Sequence, residues 1–298
     1  MKCRVCKEEA FVKFPAHNAA FCEKHFDAFF LRQVAHTITR YRMLPPEAPV
    51  MAALSGGKDS LVTTVVLSRL GYRVEGLFID LGITEGHFSP ASRKACDDFC
   101  AERGIPLRVF SLEAAFGMTI PQIAGRYPRL CAVCGVTKRH IMNEYALASA
   151  AAALATGHNL DDLAAALFAN LRRWDLHHLA KGLPVLPAEN GFAMKIKPLA
   201  MQTEEEISTF AGLHGIRPVS ESCPYAAEAK FKRYKTMLNN LEKESPGTKR
   251  VFYEGYIKNA NRFKEDTSRP PLKACSVCGL PSSAPVCTFC RIWREAGK

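Results

Sequence analysis

The residues best equipped for chemistry are the 12 cysteines, and their spacing sorts them. Cys3-x-x-Cys6 is followed by Cys22-x-x-His25, and Cys275-x-x-Cys278 by Cys287-x-x-Cys290. A Cys-x-x-Cys pair puts two thiolates on one tight turn, and two such turns complete a closed, tetrahedral zinc shell. Both terminal segments have too few apolar residues to fold alone, which is where a structural metal contributes folding energy. A redox dithiol or disulfide is the competing use of these pairs, and an intracellular setting disfavours it. Two structural Zn²⁺ sites are expected: Cys3, Cys6, Cys22 and His25, then Cys275, Cys278, Cys287 and Cys290.

Five cysteines lie outside these sets. Cys131-x-x-Cys134 sits mid-chain, and Cys223 precedes Pro224 and Tyr225. Three thiolates close no structural zinc site, but they can hold an iron–sulfur cluster with one iron left open. A catalytic dithiol cycling through a disulfide, with Cys223 attacking, fits the same spacing. Cys96 and Cys100 stand four apart on an expected helix before Gly104 and read as core packing.

The second chemical signal is a loop. Val50-Met51-Ala52-Ala53-Leu54 is an apolar run fit for a buried strand, and Ser55-Gly56-Gly57-Lys58-Asp59-Ser60 follows, then a helical pattern over 61–70. Two glycines let the backbone turn sharply, so its N–H groups and the next helix N-terminus can face phosphate. The GxxxxGK[ST] spacing of a Walker loop is absent.

Elements must position these groups. Strands are expected over 74–81 and 107–112, with a helix over 92–103 between them. A long helix over 136–153 should lead into a strand ending at Gly157-His158-Asn159, and the Ala-rich run 145–156 reads as buried helix. Alternating strands and helices imply an α/β, doubly wound parallel sheet with ligands at the carboxyl ends of its strands. Asp80, Gly157 and the 55–60 loop fall at such ends. Asp161 and Asp162 suit metal binding or capping of the next helix.

The chain has 298 residues, 48% hydrophobic and 23% charged, which excludes a disordered tail, a collagen repeat or a coiled coil. No apolar run approaches the roughly 20 residues of a membrane span, and the start, Lys2-Cys3-Arg4, lacks an apolar export segment. A cytoplasmic protein with no membrane contact is expected. Residues 1–45 carry 8 basic and 4 acidic groups and residues 225–298 carry 15 and 7, against 17 and 18 in residues 46–224. A neutral body with basic ends suggests that the ends hold a polyanion. The segment 230–235 (KFKRYK) interleaves basic and aromatic groups apt for phosphate contact and base stacking, and Lys249, Arg250, Lys258, Arg262 and Lys264 extend it. A solvated helix face explains any one of them equally well.

The string SGGKDS resembles the PP-loop of the ATP-pyrophosphatase superfamily, which cleaves ATP between its α and β phosphates. That resemblance implies a nucleotide site made of Ala53, Ser55, Gly56, Gly57, Lys58, Asp59, Ser60, Asp80, Gly157 and Asp162. Lys58 would neutralise phosphate and Asp59 would help place Mg²⁺. Within the superfamily the chain resembles the TtuA-type tRNA 2-thiolation enzymes over almost its whole length, through SGGKDS (55–60), LCAVCG (130–135), GHNLDD (157–162), SCPYA (222–226) and ESPGTK (244–249). Leu163 and Gln202 depart from the usual pattern, where an acidic and a basic residue often stand.

The resemblance implies that Cys131, Cys134 and Cys223 ligate a [4Fe–4S] cluster that carries sulfur. It implies ATP-dependent adenylation of a uridine or ribothymidine C2 oxygen, at T-loop position 54 in bacterial members and at the wobble uridine in archaeal and eukaryotic relatives, with a wobble-uridine or cytidine thiolase of the same family as the alternative. Lys138 would stabilise charge on the activated oxygen, with Asp59 and Asp161 also catalytic, Asp161 for metal placement or proton handling. The implied partners are tRNA, a ubiquitin-like thiocarboxylate carrier or free sulfide as sulfur donor, and a second copy of the chain. The expected units are a zinc module with connecting helix (1–45), the catalytic domain (46–225), a basic helical arm (226–270) and a second zinc module (271–298). Two rivals need less: a PP-loop enzyme adenylating a small carboxylate or carbonyl, with no cluster, and a non-catalytic zinc protein that binds nucleic acid.

Overall fold

A computed structural model describes residues 1–127, 129–225, 230–263 and 272–294, apart from the side chains of Lys230 and Phe231. Ala226, Lys264 and the 226–229 and 264–270 parts of the expected basic arm lie outside the described residues.

The chain opens with a hairpin, β1 (Val12–Phe14) antiparallel to β2 (Ala19–Phe21), and the helix α1 (Glu23–Arg40). The α/β body follows: β3 (Pro49–Leu54), α2 (Lys58–Arg69), β4 (Arg73–Asp80), α3 (Phe88–Glu102), β5 (Leu107–Ser111), the short α4 (Leu112–Phe116), α5 (Leu130–Ala148), β6 (Ala153–Ala155) and α6 (Leu160–Leu171). Next come α7 (Leu176–Leu179), β7 (Val185–Leu186), β8 (Lys195–Ile196), α8 (Glu204–Leu213), α9 (Lys230–Glu244) and α10 (Thr248–Asn259). A second hairpin, β9 (Lys273–Ala274) with β10 (Pro281–Ser282), and α11 (Thr288–Trp293) end the described chain.

The central sheet runs β5-β4-β3-β6-β8-β7, parallel except for the antiparallel edge strand β7. The middle strand β3 is apolar because helices cover both faces of a parallel sheet. After β3 the chain goes to β4 on one side, and β6 joins on the other. The carboxyl ends of β3 and β6 therefore flank the topological switch point, where open α/β sheets bind ligands.

One expected element differs. The Ala-rich run is not continuous helix: α5 ends at Ala148, and Ala153–Ala155 become β6, paired with Val50–Ala52. Alanine favours helix, but Ala153, Leu154 and Ala155 are all buried between β3 and β8, and ladder pairing overrides that weak preference. The other end of α5 starts earlier than expected, at Leu130, and so carries both central cysteines in its first turn.

Neither end of the chain stands apart from the body. Phe14, Phe21, Phe26 and Phe30 share one apolar core with Leu61, Val66 and Phe210, and Phe30 stacks on Phe210 at 4.4 Å. On the opposite side, Phe289, Ile292 and Trp293 join Leu112, Ile123, Val133 and Ile141. The arm helices α9 and α10 pack on α6 through Leu238, Phe252 and Tyr253. Among the described residues, no helix is long and apolar enough to cross a membrane.

Candidate active site

The loop between β3 and α2 is shaped by contacts that only glycine permits. Gly56 takes φ +76°, and a Cβ there would stand 3.0 Å from the Ser92 carbonyl oxygen. A Cβ on Gly157, at the end of β6, would meet Ser60 N at 2.7 Å, so these two backbones touch directly. Ser60 Oγ donates to Gly57 O at 2.8 Å and accepts from Ser55 N at 3.2 Å, which rivets the turn. Ala53, Ser55, Gly57, Asp59, Ser60, Gly157, His158 and Asp162 together line a cavity of about 240 Å³ at the switch point. The N-terminus of the 12-residue helix α2 opens into it, with unpaired N–H groups and the positive dipole end suited to phosphate.

Charge around the cavity is arranged in a ladder. Lys58 Nζ lies 3.1 Å from Asp59 Oδ1 and 3.1 Å from Glu204 Oε1, while Lys235 Nζ lies 2.6 Å from Asp162 Oδ1 and 3.4 Å from Glu204 Oε2. Burial pushes the Asp59 carboxyl upward, and Asp162 and Glu204 add to that against the pull of Lys58. Burial opposes the Lys58 ammonium, yet Asp59 and Glu204 prevail and raise its pKa. Asp59 Oδ1 has no aligned hydrogen bond in the structure, although its other oxygen accepts from Asn159 Nδ2 at 3.3 Å. Three carboxylates against two lysines leave one carboxylate in excess, which suits a divalent cation arriving with nucleotide. The donor set is hard oxygen, as Mg²⁺ requires.

The structure separates the two adjacent aspartates. Asp162 caps α6 with Asn159 and faces the cavity. Asp161 is 2% exposed and already committed: Oδ1 takes Lys249 Nζ at 2.6 Å and Oδ2 takes Glu204 N at 2.9 Å. Of the two, it is Asp162 that lines the cavity, since a helix turns successive side chains about 100° apart. Asp80 also lies off the cavity lining, accepting from Gly82 N at 2.9 Å to hold the turn after β4. Gly56 and Lys58 shape and charge the site without lining that cavity. Sequence reasoning missed His158 and Glu204. The signal for Glu204 was the capping box Thr203-x-x-Glu206 that starts α8 beside the loop.

The three central thiols come together on the same edge. Val219 N donates to Gly56 O at 2.9 Å, so the segment carrying Cys223 leaves from the loop itself. Four residues reach at most about 14 Å. Cys131 Sγ donates to Tyr225 O at 2.8 Å, which brings the first turn of α5 against the Cys223 segment. Burial raises the Cys134 pKa, Lys138 opposes it, and Cys223 and Cys131 add like-charge repulsion. None of the three is in a disulfide. Three free thiols whose negative charges would repel one another fit a cationic iron cluster, which spreads its ligands over separate irons rather than drawing them onto one ion.

The terminal groups converge more tightly. In each of Cys3–Cys6–Cys22–His25 and Cys275–Cys278–Cys287–Cys290, the ligand atoms all lie within 4.8 Å of one another, the geometry of a single-ion shell. Burial opposes ionisation of Cys3 and Cys275, but backbone N–H groups aimed at each sulfur bring both down to about 6, towards the thiolate a metal needs.

The fold and the loop define a PP-loop protein, and residues 29–234 match the model of the PP-loop domain. Residues 2–27 match that of the N-terminal LIM domain of 2-thiouridine synthetase TtuA. The chain is 41% identical to the tRNA-5-methyluridine(54) 2-sulfurtransferase of Pyrococcus horikoshii, covering 98% of this chain and 94% of that one. It is 40% identical to the same-named protein of Thermus thermophilus, covering 98% and 91%. Its structure matches the U34-tRNA thiolase NcsA from Methanococcus maripaludis, solved with its [4Fe–4S] cluster, at TM-score 0.83 and 28% identity over 99% of this chain and 96% of that one. The chain belongs to the TtuA-type tRNA 2-sulfurtransferases.

Proposed function

We propose that the protein replaces the C2 oxygen of a tRNA uridine or 5-methyluridine with sulfur at the expense of ATP, with T-loop position 54 as the target. The observation that carries this reading is the Gly56–Val219 hydrogen bond, which ties the phosphate loop to the segment bearing Cys223. Activation and sulfur delivery then share one carboxyl edge of the sheet. The Pyrococcus and Thermus relatives are both named for position 54, which supports that position over the wobble base and shows that archaeal relatives are not confined to the wobble uridine.

A carbonyl oxygen leaves poorly. The C2 oxygen attacks the α-phosphorus of ATP and expels pyrophosphate. Sulfur then adds to C2, and the oxygen departs with AMP. The loop N–H groups of Ser55 to Ser60 and the α2 N-terminus hold the phosphates, with Lys58 neutralising charge. Asp59 and Asp162 place Mg²⁺. Cys131, Cys134 and Cys223 would hold the cluster, which would supply a site for inorganic sulfur. Lys138, one turn beyond Cys134 and close enough to lower its pKa, faces the oxygen as it gains charge. The sulfur donor is hydrosulfide, or a carrier thiocarboxylate whose acyl–sulfur bond water then cleaves to return the carrier carboxylate, and the protein works in the cytoplasm as a homodimer, with Zn²⁺ in both terminal groups.

The mechanism is tested by product identity. ATP turnover stimulated by tRNA should release AMP and pyrophosphate in equal amounts. Release of ADP and phosphate would rule out adenylation.

A further inference from the structure

Trp174 is 72% exposed, the largest apolar side chain that the described surface presents to solvent. It also stands at φ +50°, a left-handed conformation that a bulky residue rarely adopts without a compensating role. The surrounding hydrogen bonds impose it. Trp174 N donates to Leu171 O and Leu176 N to Trp174 O, both at 3.0 Å, and Asp175 caps α7 by accepting from His178 N at 3.2 Å. The backbone between α6 and α7 is thus fixed, with the indole left outside.

Two arginines precede the indole in the chain, and Asp175, committed to capping α7, follows it. Arg172 and Arg173 are both exposed, and the Arg172 guanidinium lies 5.9 Å from the ring centre of Tyr234 on α9. Lys232 and Arg233 of the same helix are exposed as well. The Arg172–Tyr234 contact joins this corner of the surface to the basic arm.

We infer that Trp174, with Arg172 and Arg173, forms a stacking platform for an unpaired tRNA base, the arginines holding the flanking phosphates, while the half-buried Tyr234, packed on Phe168, braces Arg172 from α9. An exposed aromatic ring flanked by guanidinium groups is the arrangement single-stranded nucleotides use, since every base offers a face for stacking. The platform lies at the carboxyl end of the 12-residue helix α6, whose other end meets the ATP cavity. At 1.5 Å per residue the separation is about 18 Å, too far for the reacting base. The platform therefore reads a second nucleotide and sets the register of the tRNA on the enzyme. This inference rests on the tRNA reading above.

The experiment exploits the fact that the chain has only two tryptophans, and that Trp293 is buried at 3% exposure. Emission quenched by acrylamide comes from Trp174. Adding an in-vitro transcribed tRNA to the full-length protein should protect that emission. Trp174→Gly, which suits the left-handed backbone, should keep or raise the melting temperature while weakening tRNA binding about tenfold or more. Trp174→Tyr should retain most of the affinity. Arg172→Ala and Arg173→Ala should each lower the slope of log affinity against log salt by about one. Unchanged affinity in Trp174→Gly overturns the platform, as does protection that follows protein concentration instead of tRNA, which would assign this face to a second copy of the chain. If the unaltered protein binds no tRNA, both the platform and the thiolase reading fall. If only Trp174→Gly proves neutral, the platform alone falls.

Discussion

Two consecutive aspartates at the start of α6 do different work, and single substitutions should separate them. Asp161 is half of a buried ion pair with Lys249, so Asp161→Ala strands a buried ammonium and should cost about 3–5 kcal/mol of stability in denaturant unfolding. Asp162→Asn should leave stability nearly unchanged, because the pair with Lys235 is partly exposed, yet lower the rate of AMP formation at least a hundredfold. The sequence displayed both residues but not this division, since only the helical phase and the position of Lys249, 88 residues downstream, decide it. The loop itself was legible, because Gly56 answers a local demand, a left-handed turn against the Ser92 backbone. A third buried group predicts a pH effect. Burial drives the Lys197 pKa down to about 8, its Nζ donating to Leu183 O at 2.7 Å. Between about pH 8 and the ordinary lysine value near 10.4, the unfolded chain binds the extra proton, so stability should rise with pH across that window. Lys197→Met should abolish the rise in thermal melts.

At the scale of elements, the C-terminal module acts through α5. Trp293 Nε1 donates to Thr137 Oγ1 at 2.8 Å in a buried setting, Phe289 stacks on His140 at 3.7 Å, and Arg294 pairs with Glu144 at 3.3 Å. All three contacts fall on the helix whose first turn carries Cys131 and Cys134. Cys287→Ser should therefore reduce iron and acid-labile sulfide per chain after reconstitution, although Cys287 is no cluster ligand. Cys22→Ser, in the module packed on the opposite core, should keep the iron. Equal iron retention in both variants would contradict the coupling. The four-cysteine spacing was readable in the sequence, whereas the helix it packs on was not, because docking depends on side chains 150 residues apart. The Ala-rich run went to β6 for a related reason: pairing between β3 and β8 decides it, and neither strand is near it in sequence.

For the molecule as a whole, the basic ends announced a polyanion, and the folded arm places Lys235 on Asp162 and Glu204 beside the nucleotide cavity. tRNA binding should weaken steeply with salt, by more than tenfold between 50 and 200 mM, in filter-binding or fluorescence titrations. Trp174 escaped the sequence reading because one exposed aromatic after two arginines carries no periodic signal; only its exposure and backbone conformation mark it. The most direct test of the central claim is nucleoside mass spectrometry of tRNA after anaerobic incubation with cluster-loaded protein, ATP, Mg²⁺ and sulfide. A 2-thiouridine or its 5-methyl form should appear at position 54, absent without ATP and absent in Cys223→Ala. ATP cleavage with a full cluster and no thionucleoside would contradict that claim.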